Sequence, residues 1–280
     1  MKRKFIFLVM LFALLGGVKF SAQAQETITI GESKDLSTMY LPLTDFSKQS
    51  VTQQIYKSDE INKESGLITE IAFHVAQKSG SERNVVIYMS ETTKTNYTDA
   101  YDWIAVEDAN IVYNGKISTN VDGEWLTIQL QNAFEYNGEN IVVTIHDKTG
   151  VAVSGTYTKF YVYETQGDDN AAKSRCMYYT SSGSIDCSNL KKCYASRSVY
   201  VNSAYKYVLN NVKFTMATLE AEVIAPESIS LGDVKLGNDW TEKNVASANV
   251  EIKAIATTIT SISCENNFFT LNYDLDQNPV

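Results

Sequence analysis

Apolar and polar residues alternate in short runs along most of this chain. Between Leu67 and Val75, Ile71, Phe73 and Val75 share one face; between Asn84 and Met89, Val85, Ile87 and Met89 do the same. From Glu124 to Leu130, Leu126, Ile128 and Leu130 oppose Trp125 and Thr127, and Asn140 to Ile145 is almost wholly apolar. A period of two over strand-length segments predicts β-strands, and the continuous run predicts a strand covered on both faces. Tyr205 to Met216 reads as one long closing strand. Asn114-Gly115, Asp122-Gly123 and Asn137-Gly138 lie between apolar runs. Asn and Asp tolerate the left-handed backbone and Gly adopts it freely, so all three read as hairpin turns. No stretch outside the first residues holds a helical period. The expectation is an all-β chain, with a β-sandwich or jelly roll over residues 25–218.

A boundary is expected near Ala217 to Glu222. Beyond it, Ala248 to Ala256, Thr258 to Cys264 and Phe268 to Tyr273 read as strands of a second sandwich, residues 219–280. An Ig-like sandwich needs about 100 residues. The second domain is therefore expected to be partial, truncated at its C-terminal end, and part of a longer protein.

The first 24 residues change the picture of where the chain works. Lys2, Arg3 and Lys4 precede the apolar run Phe5 to Leu15, and Ala22 and Ala24 supply small residues for cleavage. That is a secretory signal peptide, too short in its apolar part to span a bilayer. No integral span is expected after cleavage, and the mature chain is expected to be secreted or at the cell surface. Cleavage removes Lys2, Arg3, Lys4 and Lys19 and no acid, so 24 basic residues become 20 against 33 acidic ones, a net charge of −13. Such a surface repels phosphate backbones and argues against nucleic acid as a partner.

Cys176, Cys187 and Cys193 cluster and Cys264 is remote. An oxidising destination allows one local disulfide, and Cys187–Cys193 closes the shortest loop, but spacing does not decide the pairing.

Catalytic chemistry finds little support. There are two histidines, no Gly-x-Ser-x-Gly elbow, no His-Glu-x-x-His and no phosphate loop. His74 falls on the face opposite Phe73 and Val75, and His146 ends a strand, so both read as surface or strand-end residues. No catalytic residue is assigned. Calcium is the better candidate cofactor. Asp168, Asp169 and Asn170 offer hard oxygen ligands on a loop and Asp147 offers another past a strand end, although no EF-hand pattern is present. The other candidate is an aromatic stretch holding Tyr157, Phe160, Tyr161, Tyr163, Tyr178, Tyr179 and Tyr194. Rigid aromatic faces stack on sugars and anchor protein contacts. Tyr161, Tyr163, Tyr178 and Tyr179 are the candidate ligand-binding residues; Trp103 and Trp125 are expected in the core.

Tyr40-Leu41-Pro42-Leu43, Thr52-Gln53-Gln54-Ile55-Tyr56, Gly66 to Phe73, Arg83 to Met89, Asp102-Trp103-Ile104, Val112 to Gly115, Phe134 to Gly138 and Asp147 to Gly150 form an ordered series. That series resembles a jelly-roll module of secreted and surface proteins from the Bacteroidota, similar to the adhesin modules attached to gingipain-type proteases. The likeness covers roughly residues 30–216. In the second region Ile229 to Val234, Ile259 to Ile262 and Phe268 to Leu271 resemble Ig-like domains of the abnormal-spindle/hydin type. The resemblance implies a non-catalytic, adhesin-like protein that binds an extracellular protein or glycan. Its alternative is an accessory or stalk region of a larger exported enzyme, such as a peptidase.

Overall fold

The alternation along the chain becomes two facing antiparallel sheets. The computed structural model describes residues 25–121, 124–165, 174–217, 222–224 and 253–255. The chain divides into two compact units between Thr218 and Leu219. The first holds β1 (Gln25–Ile30), β2 (Leu36–Thr38), β3 (Gln49–Tyr56), a single helical turn α1 (Ser58–Ile61), β4 (Gly66–Gln77), β5 (Glu82–Thr92) and β6 (Ile111–Ser118). It continues with β7 (Trp125–Tyr136), β8 (Asn140–Asp147), β9 (Lys159–Glu164), β10 (Cys176–Ser181), β11 (Val199–Val201), β12 (Ala204–Lys206), β13 (Val208–Asn210) and β14 (Val212–Ala217).

One sheet runs β1-β14-β4-β9-β13, with β7 also on β4 and β2 on β9; the other runs β10-β3-β8-β5-β6. Most neighbours are distant in sequence, so the chain crosses repeatedly between the layers. Phe73 and Ile71 of β4, Phe214 of β14, Val85 and Ile87 of β5, and Val143 and Ile145 of β8 meet in one buried cluster between the sheets. The architecture is an all-β sandwich.

The wholly apolar run is explained by a second cluster. Ile141, Val143 and Ile145 face the sandwich interior, while Val142 points the other way onto Tyr97, Trp103, Ile185 and Leu190, which come from loops laid over the outer face. All eight residues of β8 are buried. Trp103 is in this cluster, as expected.

Three turn and strand expectations need correction or reassignment. Asn114-Gly115 is not a turn: both residues lie inside β6, opposite Val86 and Val85 of β5. Gly115 is there for close approach, since a Cβ would meet the Tyr113 hydroxyl at 3.0 Å, which itself donates to the Lys116 carbonyl. Asn137-Gly138 is a turn, with Gly138 at φ 99° and no room for a Cβ because the Glu64 carbonyl would lie 2.8 Å away. It joins β7 to β8, which belong to different sheets, so it is an arch between layers and not a hairpin. The expected strand Tyr205 to Met216 is broken into β12, β13 and β14. The breaks come at Tyr207 and at Asn211; Asn211 and Asn210, which ends β13, are both 0% exposed and their side chains bond across the fold. Asn210 Nδ2 donates to the Leu41 carbonyl and Asn211 Nδ2 to the Ser33 carbonyl. Asp122-Gly123 and residues 1–24, where a signal peptide is expected, lie outside the described residues.

In the second unit, β15 (Glu222–Ile224) and β16 (Lys253–Ile255) pair antiparallel, Glu222 opposite Ile255. The other strands expected there lie outside the described residues.

Both histidines are buried, contrary to the surface reading of them. His146, 8% exposed, is held within β8 with Nε2 3.4 Å from Gln49 Oε1. Burial first, opposed by Asp147 and helped by Lys148, lowers its pKa from 6.5. The unfolded chain then binds a proton that the folded chain refuses, so this contribution is complete above about pH 6.5 and is lost as pH falls from there through the folded value. Urea midpoints at pH 7.5 and 5.5 should show a fall that His146→Gln reduces.

Candidate binding surface

The structure scatters the four tyrosines chosen from sequence. Tyr161 and Tyr163 alternate along β9 with the fully buried Phe160 and Val162. Tyr161 meets His74 edge-on at 4.7 Å, and His74 stacks on Trp125 at 4.6 Å. Lys213 Nζ sits 4.2 Å above that indole. His74 is thus 5% exposed and sandwiched by aromatics, and Trp125 is only half-buried on the outer side of its sheet.

Tyr163 goes instead to a charged cleft of about 330 Å³ lined by Lys57, Asp59, Glu60, Tyr163, Glu164 and Arg175. Glu60 is fully engaged there. It accepts from Arg175 Nη1 at 2.6 Å and Nη2 at 3.0 Å, from the Lys57 amide at 2.9 Å and from the Tyr163 hydroxyl at 3.2 Å. Burial alone would raise the Glu60 carboxyl, but Arg175 outweighs it and holds the pKa below the ordinary value. A carboxylate so committed is a clamp between α1 and the strands beside it rather than a free acid or base.

Tyr178 and Tyr179 are neighbours on β10 and point to opposite faces, Tyr178 onto the main cluster and Tyr179 onto the second. Tyr178 belongs to the longest aromatic run among the described residues. Its ring lies 5.0 Å from Tyr40, Tyr40 lies 5.4 Å from Phe46, and Phe46 lies 5.7 Å from Tyr157. The hairpin β11–β12 lies near Tyr178, and in it Tyr200 and Tyr205 are cross-strand partners with rings 5.4 Å apart. Burial pushes the Tyr178 phenol up, against a hydrogen bond with Ser196, and the nearby Tyr40 and Tyr205 add to the rise. The flank therefore grades from half-buried rings to two that are 50% and 71% exposed.

The hairpin owes its shape to local chemistry. Val199 and Val201 are buried, which by alternation turns Tyr200 outward. Asn202 and Ser203 both take positive φ, 47° and 68°, the mirror-image turn that suits a two-residue loop. A second exposed pair, Tyr101 and Tyr194, stands 5.4 Å apart, next to the loops that cover the second cluster.

The residues chosen for calcium are only partly described. Asp168, Asp169 and Asn170 lie outside the described residues. Asp147 is 0% exposed and already engaged: Oδ2 accepts from Arg83 Nε at 2.7 Å, and Oδ1 from the Thr149 amide at 3.0 Å and hydroxyl at 2.5 Å. A cation there would compete with a guanidinium. Sequence reasoning missed the Arg83–Asp147 pair, the Glu60–Arg175 clamp and the Tyr200–Tyr205 hairpin. Only the last left a signal, in the alternation Val199, Tyr200, Val201.

Among the described residues no helix is long and apolar enough to cross a membrane. Neither the protein-family models nor the curated proteins compared with this chain gave a match.

Proposed function

We propose that this chain is an exported, adhesin-like binding protein without intrinsic catalysis, and that its aromatic flank takes a neutral extracellular glycan. The observation that carries the reading is the Tyr200–Tyr205 pair. Two large rings, 50% and 71% exposed, face each other at a mutual angle of 66°. Exposed apolar groups that lie together, unlike single ones, mark interaction sites. Sugar rings present C–H faces that stack on them, and tyrosine supplies area at little entropic cost. The acidic mature chain disfavours anionic polysaccharides. The signal-like N-terminus and the resemblance to adhesin modules support the exported setting.

The test is a panel of neutral glycans and matrix proteins presented to the purified chain in calcium-containing buffer. Binding to neutral glycans is the expected result; binding to a protein alone would keep the adhesin role and change the ligand class; no binding to either would remove the role. Calcium on Asp168, Asp169 and Asn170 belongs to the same proposal. Chelation is expected to lower the melting midpoint, and an unchanged midpoint removes the metal.

A further inference from the structure

The loop over the second apolar cluster carries two cysteines that the binding surface does not use. Cys187 opens the 3-10 segment Cys187–Lys192 and Cys193 caps it. The segment is two tight turns hinged at Asn189, whose φ of −139° and ψ of 52° are not helical. Asn189 N donates to the Asp186 carbonyl at 3.2 Å to close the first turn, and Cys193 N to the Leu190 carbonyl at 2.7 Å to close the second. This fold-back lays both cysteines on the same apolar cluster. Trp103 touches the two ends of the loop: its Nε1 donates to the Cys193 carbonyl at 2.8 Å, and it lines a small cavity with Cys187 and Leu190. Cys176 is set apart in the main cluster, 0% exposed, its Sγ 3.5 Å from the Arg197 carbonyl.

We propose that Cys187 and Cys193, free thiols in this structure, are joined by a disulfide in the mature protein, closing the covering loop over Trp103. The pairing in the cell rests on the exported setting proposed above. Each thiol gives up one proton and one electron as the S–S bond forms. A disulfide oxidant, such as glutathione disulfide or a thiol–disulfide oxidoreductase, accepts both electrons and leaves as two thiols. Burial, then the neighbouring Cys193, pushes the Cys187 thiol up to about 12, and burial raises Cys193 as well. Raised thiol pKa values disfavour the thiolate, which favours a structural bond over a catalytic redox pair.

The experiment oxidises the purified full chain with glutathione disulfide, unfolds and alkylates it, and digests it with trypsin and a protease that cuts before aspartate. Cutting at Asp186 separates Cys176 from Cys187, and cutting after Lys191 and Lys192 separates Cys187 from Cys193. The expected product is a cross-linked pair of peptides carrying Cys187 and Cys193, with Cys176 alkylated. Reduction should lower the melting midpoint by roughly 5–10 °C. The double variant Cys187→Ser/Cys193→Ser should melt at the reduced midpoint with or without reductant. Alkylation of Cys187 and Cys193 after oxidation, or a bridge from either to Cys176 or Cys264, would overturn the pairing. Failure of export reads differently: the chain would be recovered reduced with its leader attached, yet would still form the bond in glutathione disulfide.

Discussion

Arg83→Met is expected to cost the sandwich about 3–5 kcal/mol, a large share of the roughly 5–15 kcal/mol that holds an ordinary domain folded. Arg83 and Asp147 are paired with side chains 2% and 0% exposed. Arg83 Nη1 also donates to the Val151 carbonyl at 2.8 Å and Nη2 to the Ser47 carbonyl at 3.3 Å, so one guanidinium ties β5 and β8 to the loops around them. Removing it leaves a carboxylate with no access to water and only Thr149 as donor. The penalty is that of an orphaned buried charge, not the net worth of the pair. Arg83→Met/Asp147→Leu should therefore recover much of the loss. Urea midpoints of the two single variants and the double variant check this. Additive losses would mean that the two charges do not depend on each other.

Tyr200→Ala/Tyr205→Ala is expected to weaken glycan binding by roughly 30-fold or more, the scale of losing about 2 kcal/mol from an aromatic hot spot. Stability should change little, because both rings are exposed and a cross-strand aromatic pair contributes only about 0.2–1 kcal/mol to a hairpin. Tyr101→Ala/Tyr194→Ala removes a pair of equal ring separation from a different part of the surface and serves as the control. Equal losses from both double variants would mean that the flank confers no selectivity. Calorimetric titration with the best neutral oligosaccharide from the panel gives both numbers.

How far the sequence was legible depended on whether one face of each strand decided its fate. Ile71, Phe73 and Val75, and Val85, Ile87 and Met89, are buried where alternation places them. The doubly covered β8 was equally plain, since burial on two sides leaves Thr144 as the one polar residue between Ile141 and Ile145. Turn chemistry misled where a tertiary demand was met by the same dipeptide. Asn114-Gly115 answers a close approach to Tyr113 inside a strand, while the Asn202–Ser203 loop has no glycine to announce it. Polar pairs were invisible for another reason. Arg83 and Asp147 are 64 residues apart, and Glu60 and Arg175 are 115 apart, so only the folded topology brings them together. The aromatic stretch was conspicuous as composition, yet its members point to different faces. Tyr194 alone of that stretch is largely exposed, and the exposed cross-strand pair came from the next hairpin, where two buried valines set the direction of Tyr200.

Ring-labelled tyrosine spectra recorded during titration with that oligosaccharide bear most directly on the binding role. Shifts are expected at Tyr200, Tyr205 and Tyr178, with Tyr101 and Tyr194 unmoved. Shifts confined to Tyr163 beside the Glu60–Arg175 clamp, or no shift at any tyrosine at saturating sugar, would contradict it.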